Sequence, residues 1–414
     1  MTTRRELLKV GFGALPVISL SGSLPAFVSQ LAFAGPAVGS AVAGDNILVV
    51  LQLSGGNDGL NTVVPVGNDD YLKARPGLGL KDKAKLLALN DQFAFNPGLA
   101  AFKEFFDSGQ LAVVQGCGYP QPNRSHFQSM AIWHTGDPKL ADPKGWLGHY
   151  LDHLQRGTEA SALSAVNIGS ELPQALVTEG APVPSINTID DFRVRFDEST
   201  PFDRKLEEQI LRDLQQVKDQ TPALQFLSRQ STNAIVSADQ VQKLTQGYKP
   251  DAQYDQNLGS RLRTVAQIIS GGFGTKVFYV ETGGFDTHAN QAYTHERLLQ
   301  GVASQVKAFF ADLKAKGLDE KVTVMVFSEF GRRVKQNDSA GTDHGAAGPM
   351  FVVGPKVKGG IYGDHPSLKP DDLTDGDLKY TTDFRRVYAT LLDRWLCADS
   401  AGVLKNKFEA IGFL

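Results

Sequence analysis

Only two of the 414 residues are cysteine, Cys117 and Cys397. Disulfide scaffolding is therefore not the strategy of this chain. One cysteine ends an apolar run and the other falls late in an amphipathic pattern, which reads as two buried thiols rather than a bridge. Charge of one sign is lacking too. Lys and Arg total 42 against 45 Asp and Glu, a net charge of -3, which leaves no electrostatic case for nucleic acid or another polyanion. Downstream of the N-terminal leader no apolar run is long enough to span a bilayer. No internal repeat is present.

What is present begins with a leader. Residues Thr3–Lys9 read Thr-Arg-Arg-Glu-Leu-Leu-Lys, and an apolar stretch from Val10 to Val28 follows, broken by Gly11, Gly13, Pro16, Gly22 and Pro25. It closes on Ala32-Phe33-Ala34, a small-x-small pattern suited to signal peptidase. Residues 1–34 thus read as a removable twin-arginine signal. The expected partner is the twin-arginine export machinery, and the expected location is the periplasm or beyond. That route carries proteins already folded, often around a metal or cofactor. Residues 35–45 read as a linker and 46–414 as one α/β domain.

Apolar content of 42% with 21% charged residues is a globular profile. Near-continuous apolar runs of strand length occur at Asn46–Leu53, Leu111–Gly116, Lys276–Thr282, Lys321–Ser328 and Pro349–Gly354. Helical patterns fall between or beyond them, at Leu99–Phe106, Ser125–His134, Leu258–Ile269, Thr294–Lys314 and Thr382–Leu396. The alternation predicts a mostly parallel central sheet covered on both faces. The stretch from about Pro201 to Gln256 is long, helical and polar. It reads as an insertion, either a cap over the site or a solvated excursion. The Asp-bearing loop from Gly363 to Asp377 reads as turn chemistry rather than a calcium loop.

Ligands of an open parallel sheet bind beyond the carboxyl ends of its strands. Polar residues gather there. The first run ends on Asn57 and Asp58, the third on Gly283-Gly-Phe-Asp-Thr-His288, and the fourth on Ser328-Glu-Phe-Gly-Arg-Arg333. The turn before Pro349 holds Thr342, Asp343 and His344. Carboxylate and imidazole together suit zinc, manganese or a related divalent ion. Each residue also has a plainer reading. Asp58 can form a turn, Asp286 can cap a helix with His288 packed on it, Glu329 can pair with Arg332 or Arg333, and His344 can be a satisfied loop histidine. Ser125, in Asn123-Arg124-Ser125-His126, reads either as a helix N-cap or as a nucleophile where the helix dipole favours negative charge. Arg124 beside it suits a tetrahedral oxyanion.

The motifs Leu51-Gln-Leu-Ser-Gly-Gly-Asn-Asp-Gly59, Arg124-Ser-His-Phe127 with Trp133, Gly283–His288, Phe327-Ser-Glu-Phe-Gly-Arg332 and Gly341-Thr-Asp-His-Gly345 span nearly the whole chain. In combination they resemble the domain-of-unknown-function 1501 family, and more distantly the alkaline phosphatase and sulfatase superfamily. The resemblance implies a three-layer α/β/α sandwich and metal-dependent hydrolysis of a small phosphate or sulfate ester. It implies Ser125 as nucleophile, and Asp286, His288 and His344 around one metal. Asp58 and Glu329, with Ser125 as a possible third ligand, would serve a second metal; Asn57, His126 and Asp343 are possible additional residues of the site. That second site departs from the superfamily pattern, because Phe330 stands where an adjacent Asp-His pair is usual. An alternative alignment puts Asp343-His344 on that pair and leaves the late histidine at His365. A catalytically inactive binding or assembly protein on the same fold is the competing expectation.

Overall fold

The computed structural model describes residues 45–154, 163–179, 183–192, 241 and 245–414. The leader, nearly all of the linker and most of the expected insertion lie outside the described residues.

Twelve strands are described: β1 (Ile47–Leu53), β2 (Val63–Pro65), β3 (Leu87–Ala88), β4 (Phe93–Phe95), β5 (Leu111–Gly118), β6 (Ala165–Ile168), β7 (Ser185–Ile186), β8 (Val277–Thr282), β9 (Val322–Phe327), β10 (Gly348–Val353), β11 (Gly360–Tyr362) and β12 (Thr382–Asp383). The main sheet runs β11-β5-β10-β9-β1-β8-β6-β7, with β12 also paired to β5, while β2, β4 and β3 form a small separate sheet. β1 is central and buried along its whole length, which is why its sequence is nearly continuous in Ile, Leu and Val. It pairs in parallel with β8 and β9, placing Leu51 between Val280 and Val326.

Side-chain alternation sends the strand residues into two cores. Val49 and Leu51 pack with Leu262, Val265, Val306, Phe309 and Phe102, from the helices Leu258–Gly271, Gln291–Ala315 and Ala100–Asp107. Leu48 and Val50 pack on the opposite face with Ile132, Trp133, Trp146, Leu147 and Tyr388, from the helices His126–Thr135, Trp146–Leu154 and Arg385–Thr390. The architecture is therefore a mixed α/β sandwich with a mostly parallel central sheet. Gln52 is the polar exception on β1, and it is satisfied by Ser54, Tyr279 and His134. Burial pushes the His134 imidazole down to about 4, so it stays neutral there.

Three expectations need correction. The run at Pro349–Gly354 is a strand, but β10 lies antiparallel to both β9 and β5. No helix separates β9 from β10, so the chain cannot cross back and must return from the same edge. The pattern at Thr382–Leu396 opens with β12, becomes helical only at Arg385 and ends in a π-turn at Leu391–Trp395. Cys397 follows that turn in a left-handed conformation (φ 53°) and is exposed, so only Cys117 is a buried thiol; both are free.

At the end of the expected insertion, Tyr248 and Tyr254 donate to the Asp312 carboxylate, the Tyr254 bond being 2.9 Å. This ties the segment to the helix Gln291–Ala315. Tyr254→Phe is expected to cost about 2 kcal/mol in urea unfolding, the typical worth of a hydrogen bond to a charged group.

Candidate metal centre

The loops after β1 and β8 and the long loop from β9 to β10 meet at the carboxyl edge of the parallel strands, where the helix His126–Thr135 also begins. Their backbones touch. A Cβ on Gly55, which has φ +120°, would fall 2.3 Å from the Asp286 amide nitrogen. One on Gly341 would fall 2.2 Å from the His288 carbonyl carbon. Glycine is required at both positions to let these loops close.

The contact brings three donor atoms together. Asp286 Oδ1 lies 3.0 Å from His344 Nε2 and 3.0 Å from His288 Nε2, and the two Nε2 atoms are 3.0 Å apart. A triangle of that side has its corners about 1.7 Å from its centre. A point slightly above its plane therefore lies about 2.0–2.2 Å from all three, the zinc–ligand distance. His126 stands alongside, its Nε2 3.6 Å from Asp286 Oδ2 and its ring 4.3 Å from that of His344. Candidate ligand atoms of His126, Asp286 and His344 lie within 4.8 Å of one another.

The outward nitrogens show why the rings face this way. His126 Nδ1 lies 2.8 Å from Glu329 Oε1, His288 Nδ1 3.1 Å from Asp343 Oδ1, and His344 Nδ1 2.8 Å from the Arg124 carbonyl. Glu329 acts as an acceptor elsewhere too, taking hydrogen bonds from the Gly55 amide and the Ser328 hydroxyl. Acceptors of this kind assign the ring proton to Nδ1 and leave an Nε2 lone pair facing Asp286. Two imidazole lone pairs and a carboxylate 3.0 Å apart repel unless a cation or an added proton sits among them. Outer oxygens that orient each imidazole are the usual surroundings of metal-bound histidine. The donor set fits zinc or manganese better than magnesium, which prefers oxygen.

Burial alone would raise the Asp286 carboxyl. The hydrogen bond and charge of Arg332, with the His344 and His288 imidazoles beside the group, outweigh it and hold the carboxyl down at about 2. The Asn337 amide, chief among its partners, lowers Asp343 in spite of its partial burial. Both groups are carboxylates across the physiological range.

The remaining candidates are placed as follows. Asp58 is fully buried, ion-paired to Arg75 at 2.6 Å and hydrogen-bonded by Gln291, so its carboxylate is spent on the interior rather than on a metal. Asn57 is buried below the site and joined to Thr62 and His295. Glu329 holds His126 and pairs with neither Arg332 nor Arg333. Asp286 caps no helix, since the next one begins at Gln291 with Asn290 as its N-cap. Ser125 is exposed and its hydroxyl caps no amide. It sits between two residues that both touch the cluster, Arg124 through its carbonyl and His126 through its ring. The Arg124 guanidinium turns to Asp377 at 2.7 Å. The Phe330 ring packs against His126 and His344 at 5.0 and 4.8 Å, a wall rather than a ligand. His365 stacks on Phe93 instead, so the alternative alignment gains no support.

The fold and site together define an α/β protein with a carboxylate–imidazole cluster on the edge of its central sheet. The chain belongs to the family described as Protein of unknown function (DUF1501), whose model matches residues 45–407. No curated protein matches it significantly. Among solved structures it is similar to the C-terminal periplasmic domain of EcEptC from Escherichia coli in complex with zinc, at 9% identity over 76% of this chain and 75% of that one, TM-score 0.35. It is similar to PsFucS1 sulfatase from Pseudoalteromonas sp., at 10% identity over 82% and 70%, TM-score 0.36. A mutant of TAB5 alkaline phosphatase with magnesium bound matches at 13% identity over 78% and 95%, TM-score 0.29.

Proposed function

We propose that the protein holds one divalent cation of the zinc class on Asp286, His288 and His344, with His126 alongside. We propose further that it hydrolyses phosphate or sulfate esters after export by the twin-arginine route. The observation that carries this reading is the orientation of the three imidazoles, each fixed through Nδ1 and each turning Nε2 toward one carboxylate. The choice of ester follows the resemblance carried by the sequence motifs.

When bound, such a cation lowers the pKa of a nearby hydroxyl and screens charge on a phosphoryl or sulfuryl oxygen. The chain supplies the rest. Ser125 presents an uncommitted hydroxyl at a helix N-terminus, where backbone amides favour an anion. Phe330 restricts water on one side of the imidazoles. Arg124 can meet an oxyanion only if its pair with Asp377 opens. That pair and the inward commitment of Asp58 favour a second reading, a metal-binding protein without turnover.

Metal analysis of the purified chain, together with aryl phosphate and aryl sulfate assays, separates the readings. Hydrolysis lost on chelation, restored by zinc and absent in Ser125→Ala supports the enzyme. Bound metal without hydrolysis supports the binding protein, and a chain with neither contradicts both. Glu329→Gln and Asp343→Asn are each expected to weaken zinc binding about 10–100-fold, as loss of an orienting partner does, with little change in melting temperature. Export is checked by fractionation: with Arg4→Lys and Arg5→Lys together, the precursor is expected to remain in the cytoplasm.

A further inference from the structure

Arg332 is 1% exposed, yet its guanidinium carries a full positive charge. Its donors are spent on three separate loops. Nε donates to the Gly56 carbonyl at 2.7 Å, and Nη2 to that of Gly55, both after β1. Nη2 also reaches the Phe285 carbonyl at 3.1 Å and Asp286 Oδ1 at 2.7 Å, after β8. Nη1 donates to the Thr342 carbonyl at 2.7 Å, two residues before His344. The short bridge between Arg332 and His344 adds a backbone link to the same loop.

A buried charge without its partners is costly, so these acceptors are held where the guanidinium requires them. A rigid planar fork can satisfy several directions at once, whereas a lysine ammonium is a single point at the end of a flexible stem. We infer that Arg332 is the positioning residue of the centre: it locks the three loops in register and orients Asp286 so that its carboxylate meets His288 and His344. The role in cation binding rests on the reading proposed above; the locking of the loops does not.

The test uses the full chain with Arg332→Lys, and with Arg332→Gln as a second variant, each checked for native circular dichroism. Zinc affinity is measured by competition with a chromophoric chelator, and amide hydrogen exchange is followed in the same samples. The expected result is zinc binding at least about 10-fold weaker in Arg332→Lys. Faster exchange is expected at 54–58, 283–288 and 341–345, with β1 unchanged. A purely structural residue would lower the melting temperature and leave the zinc affinity of the folded chain intact, and that outcome overturns the inference. If the unaltered chain binds no zinc, the cation reading fails, and the exchange data alone decide. Selective loosening of the three loops then supports the positioning role, and unchanged exchange refutes it.

Discussion

His344→Ala is expected to leave the purified chain without its metal, lowering zinc affinity more than about 100-fold, beyond the loss of an orienting partner. Two donors would remain where three now stand at 3.0 Å from one another. Turnover of an aryl phosphate or sulfate should disappear with the ion. The fold should survive, because His344 lies in a loop at the sheet edge and belongs to neither main core. Metal analysis and thermal melting of the same preparation check both halves. Retained metal would show that the histidine packs against Phe330 and no more.

Arg75→Met is expected to have the largest effect on stability. Arg75 and Asp58 are both fully buried. Removing the cation leaves a carboxylate in the interior without a counter-charge, which costs about 3–5 kcal/mol. Arg75 also donates to the Arg333 and Val334 carbonyls, so the β9–β10 loop should loosen with it. Desolvation is the largest influence on the Asp58 carboxyl and pushes it up. The Arg75 charge, together with the hydrogen bonds from Arg75 and Gln291 and the nearby His295, outweighs it, and the net shift is downward. The sign follows. The contribution of this pair is complete above the ordinary carboxyl value of 3.8 and is lost as pH falls through the lower folded value. Urea unfolding at neutral pH and along the acid limb measures both. The Asp58→Asn, Arg75→Met double variant should recover part of the loss, since it no longer buries a lone charge.

The buried strands were readable because chain covered on both faces is nearly all apolar, as in β1, the first four residues of β8, and β9. The direction of β10 was not, because apolar content does not record the sense of a strand. Only the missing helix before it carried that signal. Asp286 and His288 stood out in the sequence because they follow glycines at a strand end, where a parallel sheet presents its ligands, and His344 because it stands in a glycine-flanked turn before the run at Pro349. The roles of Asp58 and Glu329 could not be read in the same way. A carboxylate that meets a buried arginine looks the same in sequence as one that meets a metal, and Arg75 sits in an unremarkable stretch. His126 was legible only as part of a motif. Its place in the cluster depends on how the helix His126–Thr135 is set against the β9–β10 loop. Arg332 was legible as a motif residue, but its five acceptors come from positions nearly 300 residues apart.

The most direct measurement is an anomalous difference map from crystals of the chain grown with zinc. A single strong peak about 2.0–2.2 Å from Asp286 Oδ1, His288 Nε2 and His344 Nε2 is the expected result. A map with no peak there, or side chains turned apart with the ion elsewhere, would contradict the account.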